Sequence, residues 1–370
     1  MLKDKIRMTY YQNAISEVVK KGSVVLDIGT GSGILAYFAF QAGAKKIYAI
    51  EHGEIIEDAK KLAQLNRLNK KIIFLNGMSD KIELPEKVDV VISEILGNFG
   101  IEENVHKFTI DARKRFLKPG GMLMPCWLDL YLVPVESKTI WEENIEIWNN
   151  NFFGFNLFPI RNYAISQRYL TDCPGKDRFL SKPALISHSN FYEIDTMPSI
   201  FEAKFIINKT GGFQGWLGYF KAGLSKNIIL STDPKESVTH WKQVFFPIAN
   251  TVRVKSGDEV YVKIKAIPRK NNIFWEWKTR IFRNKAEAAS FSQTNFNITK
   301  EELVLGRADF KPALTPEAEI YRRILSLCDG IKTNQEIADT IITEYPKKYK
   351  TTQEALGKVT AIIRGNIKIS

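Results

Sequence analysis

Through its first third the chain alternates short apolar runs with segments of helical period. Residues 23–28 (SVVLDI), 46–51 (KIYAIE), 72–75 (IIFL) and 88–93 (VDVVIS) read as strands, and 116–125 (FLKPGGMLMP) as a turn leading into another. Between the first two, ILAYFAFQAG reads as a helix ending at Gly43. Residues 54–69 place Ile55, Ile56, Ala59, Leu62 and Ala63 on one helical face. Strands alternating with helices predict an α/β fold, a parallel sheet covered on both faces.

The texture changes near residue 125. WLDLYLVPV (127–135) alternates apolar and polar positions as a half-buried strand does. Residues 141–165 are rich in Trp, Phe and Asn and read as an irregular helical excursion. FEAKFII, FQGWLGYFKAGL, NIILST, DEVYVKIKAI and IFWEWKTRIF then predict an antiparallel barrel or sandwich. Residues 285–312, more polar, read as a linker. Beyond it helical period returns: Thr315-Pro316 caps one helix, and Thr333 to Glu336 and Thr351 to Glu354 are capping-box signatures for two more. The expected domains are thus 1–125, 126–284 and a small helical 313–370, joined by that linker.

Composition adds limits. The 370 residues are 44% hydrophobic and 25% charged, ordinary for a soluble globular chain with more than one domain. Cys126, Cys173 and Cys328 lie far apart and form no disulfide framework, which points to a reducing compartment. The four histidines show no zinc-type spacing, so no metal is expected. Neither a signal peptide nor a membrane span is present in the pattern, and a cytoplasmic location is expected. The formal charge of +12 reads as a solvated basic surface rather than a nucleic-acid footprint, because no basic block is long.

The candidate chemistry lies at strand ends. Asp27 closes the first strand and is followed by Gly29, Gly31 and Gly33, a turn that lets backbone approach a ligand. Ile34 stands where a dinucleotide fingerprint needs its third glycine, which weakens a pyrophosphate reading. Glu51 ends the second strand, where a carboxylate can accept both ribose hydroxyls, and Ser79-Asp80 follow the third. Together these predict a nucleoside cofactor without a pyrophosphate. Glu94 ends the fourth strand and Glu103 follows nine residues on. A loop folding back between them could aim both carboxylates at one cation, and a planar guanidinium suits that need. The spacing equally allows one glutamate to cap the next helix while the other is solvated. Ser93-Glu94-Ile95-Leu96 is unlike the Asn/Asp-Pro-Pro-aromatic motif of nucleobase amino-methylating enzymes.

The glycine turn and its acidic partners resemble the class I S-adenosylmethionine-dependent methyltransferases. With SEILGNFGIEE (93–103) and Thr239-His240-Trp241, the chain from Met1 to about 284 resembles the protein arginine methyltransferases. That resemblance implies a Rossmann-like domain, a β-barrel domain with a helical dimerisation arm at 142–182, and a homodimer. It implies S-adenosyl-L-methionine as cofactor, leaving as S-adenosyl-L-homocysteine. Asp27 and Gly29, Gly31 and Gly33 would cradle its methionine part, with Arg7 on the carboxylate. Glu51 would hold the ribose, and Ser79 and Asp80 the adenine. Glu94 and Glu103 would grip the guanidinium of a peptide or protein, Asp4 would pair with His240, and Trp241 would shape the pocket. The family's aromatic N-terminal segment precedes the region matching Met1, and Tyr10 and Tyr11 are expected to replace it in part. Ile95, Leu96 and Asn98 stand where the family has bulkier residues, which leaves open a different acceptor: another nitrogen or a carboxylate. A non-catalytic cofactor-binding scaffold is the remaining alternative. Residues 313–370 resemble small winged-helix-like domains that present precursor peptides, which would make a leader peptide the partner there.

Overall fold

The computed structural model describes residues 2–172, 179–269, 272–295, 309–364 and 366. Two units result, Met1–Asn297 and Ile298–Ser370.

The first unit opens with a helix that the sequence pattern did not announce, α1 (Lys5–Val18). Its N-cap is Asp4, whose side chain accepts the Arg7 N–H. Then follow β1 (Val24–Ile28), α2 (Ile34–Gln41), β2 (Lys46–Glu51), α3 (Ile55–Leu65), β3 (Ile72–Asn76), β4 (Val88–Ser93), α4 (Val105–Arg115) and β5 (Leu117–Met124). The five strands pair in parallel in the order β3-β2-β1-β4-β5. β1 is buried along its whole length, as a strand covered on both faces must be. The order reverses between β1 and β4, and the carboxyl ends there open the crevice where such sheets bind ligands.

β6 (Trp127–Val135) begins an antiparallel region. The chain next forms α5 (Lys138–Asn144), a small hairpin of β7 (Asn151–Phe152) and β8 (Phe155–Asn156), α6 (Ile160–Ala164) and β9 (Tyr169–Thr171). The remaining strands are β10 (Ala184–Asn190), β11 (Ile200–Ile206), β12 (Gly211–Gly223), β13 (Ile229–Ser231), β14 (Gln243–Val254), β15 (Glu259–Arg269), β16 (Asn272–Arg283) and β17 (Ala286–Thr294). One sheet runs β10-β6-β12-β14-β9 with β13 on β12, and a second runs β11-β15-β16-β17. Tryptophans stitch the two together across a shared core. Trp216 Nε1 donates to Thr279 Oγ1 (2.8 Å), and Trp277 Nε1 donates to the Pro247 carbonyl (2.6 Å). Both indoles are fully buried, so each N–H needs such a partner.

Two sequence expectations change here. The linker expected at 285–312 starts too early: Ala286–Thr294 pairs with β16 as a nine-residue edge strand, with Ser290, Ser292 and Thr294 exposed. Residues 296–308 of that span lie outside the described residues, as does Cys173. β14 also went unread, because Pro247 interrupts its pattern. The ladder with β12 is broken there, passing from Phe213–Val252 to Gly215–Pro247.

The segment expected as an arm packs one side of itself on β6, β12 and β14. Ile140, Trp141, Ile145 and Ala164 join Val133, Leu217 and Phe245 in a separate cluster. Its tip is apolar and bare: Phe153 is 99% exposed and Phe155 70%.

The second unit contains α7 (Pro316–Leu327), α8 (Asn334–Glu344) and α9 (Thr352–Ile363), with no strand among the described residues. Ile320, Ile324, Ile337, Ile341, Ala355 and Val359 form its core. Thr315 caps α7 and Thr333 with Glu336 forms a complete capping box. At Thr351 only half the box forms, because the Glu354 carboxylate accepts from the Lys350 N–H instead.

Candidate functional site

The glycine turn follows β1 with Gly29, Gly31 and Gly33 all at positive φ (70°, 53° and 86°). Asp27, fully buried beneath it, accepts from Thr30 Oγ1 at 2.6 Å. Burial pushes its carboxyl up to about 7, against the opposing pull of that hydrogen bond. Glu51 at the end of β2 accepts from the backbone N–H of Gly31 (3.1 Å) and of Gly53 (2.8 Å), one on each oxygen. The carboxylate thus holds the turn closed, with His52 Nδ1 also 3.2 Å from the oxygen that accepts from Gly53. Ser79 follows β3, buried, and its Oγ has no hydrogen-bond partner within the protein. Asp80 is turned to Lys107 (2.8 Å), whose ammonium holds its carboxyl below the usual range. Its Oδ1 is buried and unpartnered.

A cavity of about 480 Å³ lies over these strand ends, lined by Gly29, Glu51, Ser79, Glu94, Glu103 and Lys107 among others. The two candidate glutamates therefore share one cavity. Neither caps α4: that position is Asn104, at φ 62° and without a side-chain cap bond. Burial pushes the Glu94 carboxyl up to about 7, a rise that Arg7 restrains and Glu103 reinforces. Burial and the neighbouring Glu102 raise Glu103 as well.

Arg7, 5% exposed, already sits on this acid pair. Its Nη1 donates to Glu94 Oε2 at 3.1 Å, and its guanidinium carbon lies 4.3 Å from the centroid of the Trp241 ring. The residue expected to bind a cofactor carboxylate thus stands against the acceptor glutamate in this structure. Asp4 reaches His240, but through the backbone: Asp4 Oδ2 accepts the His240 N–H at 2.9 Å, while the histidine itself is exposed. The expected pairing with the imidazole is not what joins them. Nor do Tyr10 and Tyr11 form a lid. Tyr11 is fully buried and donates to the Ser93 carbonyl (3.2 Å), and Tyr10 lines a separate groove with Leu230 and Lys235.

The loop between the glutamates is held from the antiparallel region. Trp241 Nε1 donates to the Leu96 carbonyl (2.6 Å) and Asn98 Nδ2 to the Trp241 carbonyl (3.1 Å). Phe99 is fully buried among Phe246 and Trp275, at ring separations of 5.7 and 5.8 Å. Its ring packs on Gly218, where a Cβ would come within 2.7 Å of it. Glu102 folds back to accept the Phe99 N–H, and a Cβ at Gly97 would collide with it. Sequence reasoning missed Glu102, its partner Arg168 (3.2 Å) and Lys107. The doubled acid at 102–103 was a visible signal, whereas nothing local links it to residue 168.

Known proteins resemble both halves of the first unit. The arginine methyltransferase oligomerization subdomain matches residues 129–280, and the family model of ribosomal protein L11 methyltransferase matches residues 11–125. Protein arginine N-methyltransferase 1 of Caenorhabditis elegans is 33% identical over 283 residues, 74% of this chain and 81% of that protein. Protein arginine N-methyltransferase 8-B of Danio rerio is 33% identical over 280 residues, which span 66% of its length. Among solved structures, Arabidopsis thaliana protein arginine methyltransferase 10 superposes with a TM-score of 0.69 at 26% identity, over 80% of this chain and 96% of that one. Trypanosoma brucei PRMT1, in an enzyme–prozyme heterotetrameric complex with AdoHcy, gives 0.72 at 22% identity over 80% and 95%.

The raised Glu94 carboxyl has a measurable consequence. Between about pH 4.5 and 7 the folded chain keeps a proton there that the unfolded chain has released, so stability falls as pH rises through that window. Glu94→Gln is expected to be more stable than the parent at pH 8 by roughly 1–3 kcal/mol, with the difference vanishing near pH 5. Denaturant titrations at the two pH values measure it; equal midpoints at pH 8 would show that Glu94 carries no burial penalty.

Proposed function

The chain belongs to the protein arginine N-methyltransferase family, and from that membership we propose that it methylates a guanidinium nitrogen of arginine in a peptide or protein. The observation that carries the reading is the shared cavity of Glu94 and Glu103, with the Arg7 guanidinium resting on Glu94. A site that already accommodates one planar cation against a carboxylate is built to receive another.

The residues present fit S-adenosyl-L-methionine. Ser79 Oγ and Asp80 Oδ1 are buried beside the crevice without partners, ready for a polar ring edge. Glu51 lines the cavity and its Oε2, which accepts only from Gly31, has capacity for a ribose hydroxyl, and Asp27 with Gly29, Gly31 and Gly33 forms the turn for the amino-acid part. Arg7 is within the same acidic cluster and can exchange Glu94 for a cofactor carboxylate. When bound, the cofactor supplies an electrophilic methyl on a sulfonium and leaves as S-adenosyl-L-homocysteine. The protein's share is positioning and charge. Glu94 and Glu103 hold the guanidinium by paired N–H bonds, which draws its positive charge toward them and leaves electron density on the nitrogen facing the methyl. As the new N–C bond forms, that nitrogen must lose a proton. The clamping carboxylates are the bases beside it. His240 is anchored by its backbone to Asp4, so its role is to fix the Trp241 loop, with Trp241 walling the pocket.

Two partners follow from the same reading. The bare Phe153 and Phe155 on the arm support a homodimer, since exposed apolar tips of this kind mark contact surfaces. Along α7, Leu314, Ala318, Tyr321 and Leu325 line an apolar groove in which a substrate leader peptide would lie. Free Cys126 and Cys328 are in keeping with a cytoplasmic site of action. No described helix is long and apolar enough to cross a membrane.

Mass spectrometry of an arginine peptide incubated with the protein and S-adenosyl-L-methionine is expected to show methyl gain on arginine alone. Glu94→Gln and Glu103→Gln should each lower kcat at least about a hundredfold while binding cofactor normally. Methyl gain on another residue type, or full turnover in both variants, would reject the assignment. Phe153→Asp combined with Phe155→Asp should convert a dimer to a monomer in sedimentation; an unchanged mass would remove the arm from the interface. For the groove, Tyr321→Glu should raise KM for a precursor peptide with its leader yet leave that for the leaderless core unchanged. Equal effects on both would place leader recognition elsewhere.

A further inference from the structure

We propose that Arg168 is a positioning residue of the acceptor site, whose ion pair with Glu102 fixes the loop carrying Glu103 and neutralises the carboxylate beside it. The inference rests on reading Glu94 and Glu103 as the guanidinium clamp.

Glu102 differs from its neighbour in what it touches. Both of its oxygens accept the Phe99 N–H, at 3.1 and 2.9 Å, so its carboxylate ties the loop across a short reverse turn. The side chain folds against Gly97, the position in the loop where a Cβ has no room. Arg168 Nη1 then reaches Glu102 Oε1 at 3.2 Å, with the glutamate 12% exposed and the arginine 24%. A pair this enclosed is neither a solvated surface contact nor an unneutralised buried charge.

The arginine is presented from a rigid place. It immediately precedes β9, which is zipped to β14 through Tyr169–Phe245, Leu170–Val244 and Thr171–Gln243. Its guanidinium carbon lies 5.8 Å from the centroid of the Trp275 ring, and Trp275 packs on Phe99, the aromatic anchor of the loop. One cation therefore meets the loop directly at Glu102 and, through Trp275, backs its aromatic anchor. β14 also begins two residues after Trp241, so the same strand sets the height of both Arg168 and the indole that grips Leu96.

The electrostatic consequence falls on Glu103. The charged groups facing it are Glu94 at the end of β4, Arg7 from α1, Lys107 from α4 and Glu102 on its own loop, with the Tyr11 hydroxyl nearby. Glu102 disfavours the charged form of Glu103. Arg168 offsets Glu102 and so keeps Glu103 available as an anion. Remove the cation, and the loop loses its outer clamp while Glu103 ionises at higher pH.

The test uses the full chain, an arginine peptide and S-adenosyl-L-methionine. Arg168→Gln is expected to lower kcat/KM roughly tenfold, chiefly through KM, and to move the rising limb of its pH profile upward by about half a unit. Cofactor affinity should stay within about twofold. Arg168→Lys should recover most of the loss. Adding Glu102→Gln to Arg168→Gln should return the limb to the parent position or below it, which a purely packing role would not do. Should Arg168→Gln fail to fold, Glu102→Gln alone keeps an acceptor for Phe99 and is expected to move the limb downward. Amide exchange over residues 97–102 gives a readout independent of turnover and should quicken in Arg168→Gln. An active parent whose Arg168→Gln variant keeps its KM and pH limb would overturn the proposal. A parent inactive on arginine peptides would remove the functional reading instead, and unchanged exchange in the variant would then remove this one too.

Discussion

A carboxylate held largely out of water beside a second one is a costly arrangement: Glu94, its side chain 9% exposed, shares a cavity with the more exposed Glu103, and the proposed acceptor site is organised around that cost. Burial raises both carboxyls, with Glu103 adding to the rise at Glu94 and Glu102 to that at Glu103. Unrelieved, they would protonate and lose their use as anions. Relief comes from cations: Arg7 against Glu94 in this structure, and by our proposal the acceptor guanidinium in the working complex. The charge deficit of the site is thus also its selectivity, because a neutral acceptor would leave the carboxyls nearer their protonated state.

Holding the pair together falls to the antiparallel region rather than to the parallel sheet that supplies Glu94. The sheet places Glu94 at a strand end as a matter of topology. Glu103 comes nine residues later, and its place is set by contacts of Leu96, Asn98, Phe99 and Glu102 with Trp241, Gly218, Trp275 and Arg168. Those partners lie on β12, β16 and the segments leading into β9 and β14. The small and apolar loop residues at 95, 96 and 98 make sense in this setting: Leu96 and Phe99 fill the seam between the two halves of the unit, and Asn98 spends its amide on the Trp241 carbonyl. The loop is rigid through its anchors, not through its own bulk.

Much of this was legible along the chain. The parallel strands announced themselves as continuous apolar runs, and the acids at their ends followed from the strand boundaries. The Glu94–Glu103 spacing raised the right question, though the sequence could not choose between a clamp and a helix cap; Asn104 at the cap position removes the cap. What stayed hidden was non-local or masked by composition. α1 was unread because its buried face includes Arg7 and the small Ala14 among exposed polar residues. β17 looked like linker because an edge strand buries little. The Arg168–Glu102 pair spans sixty-six residues of sequence and has no periodicity to betray it. His106 has a structural place that the sequence did not show: burial drives it down to about 4 and its Nε2 meets Ser189 Oγ.

The central claim is that a largely buried Glu94, pushed up to about 7 and sharing its cavity with Glu103, gives up its proton when a cationic acceptor binds, and proton release on binding measures that directly. Calorimetric titration of the protein and S-adenosyl-L-homocysteine with an arginine peptide at pH 7, in buffers of different ionisation enthalpy, should show release of a sizeable fraction of a proton, on the order of one half. The release should shrink by pH 9, where Glu94 is already ionised, and a citrulline peptide of the same sequence should bind weakly without it. Binding of the arginine peptide with no proton released at pH 7, or with the same release as citrulline, would contradict it.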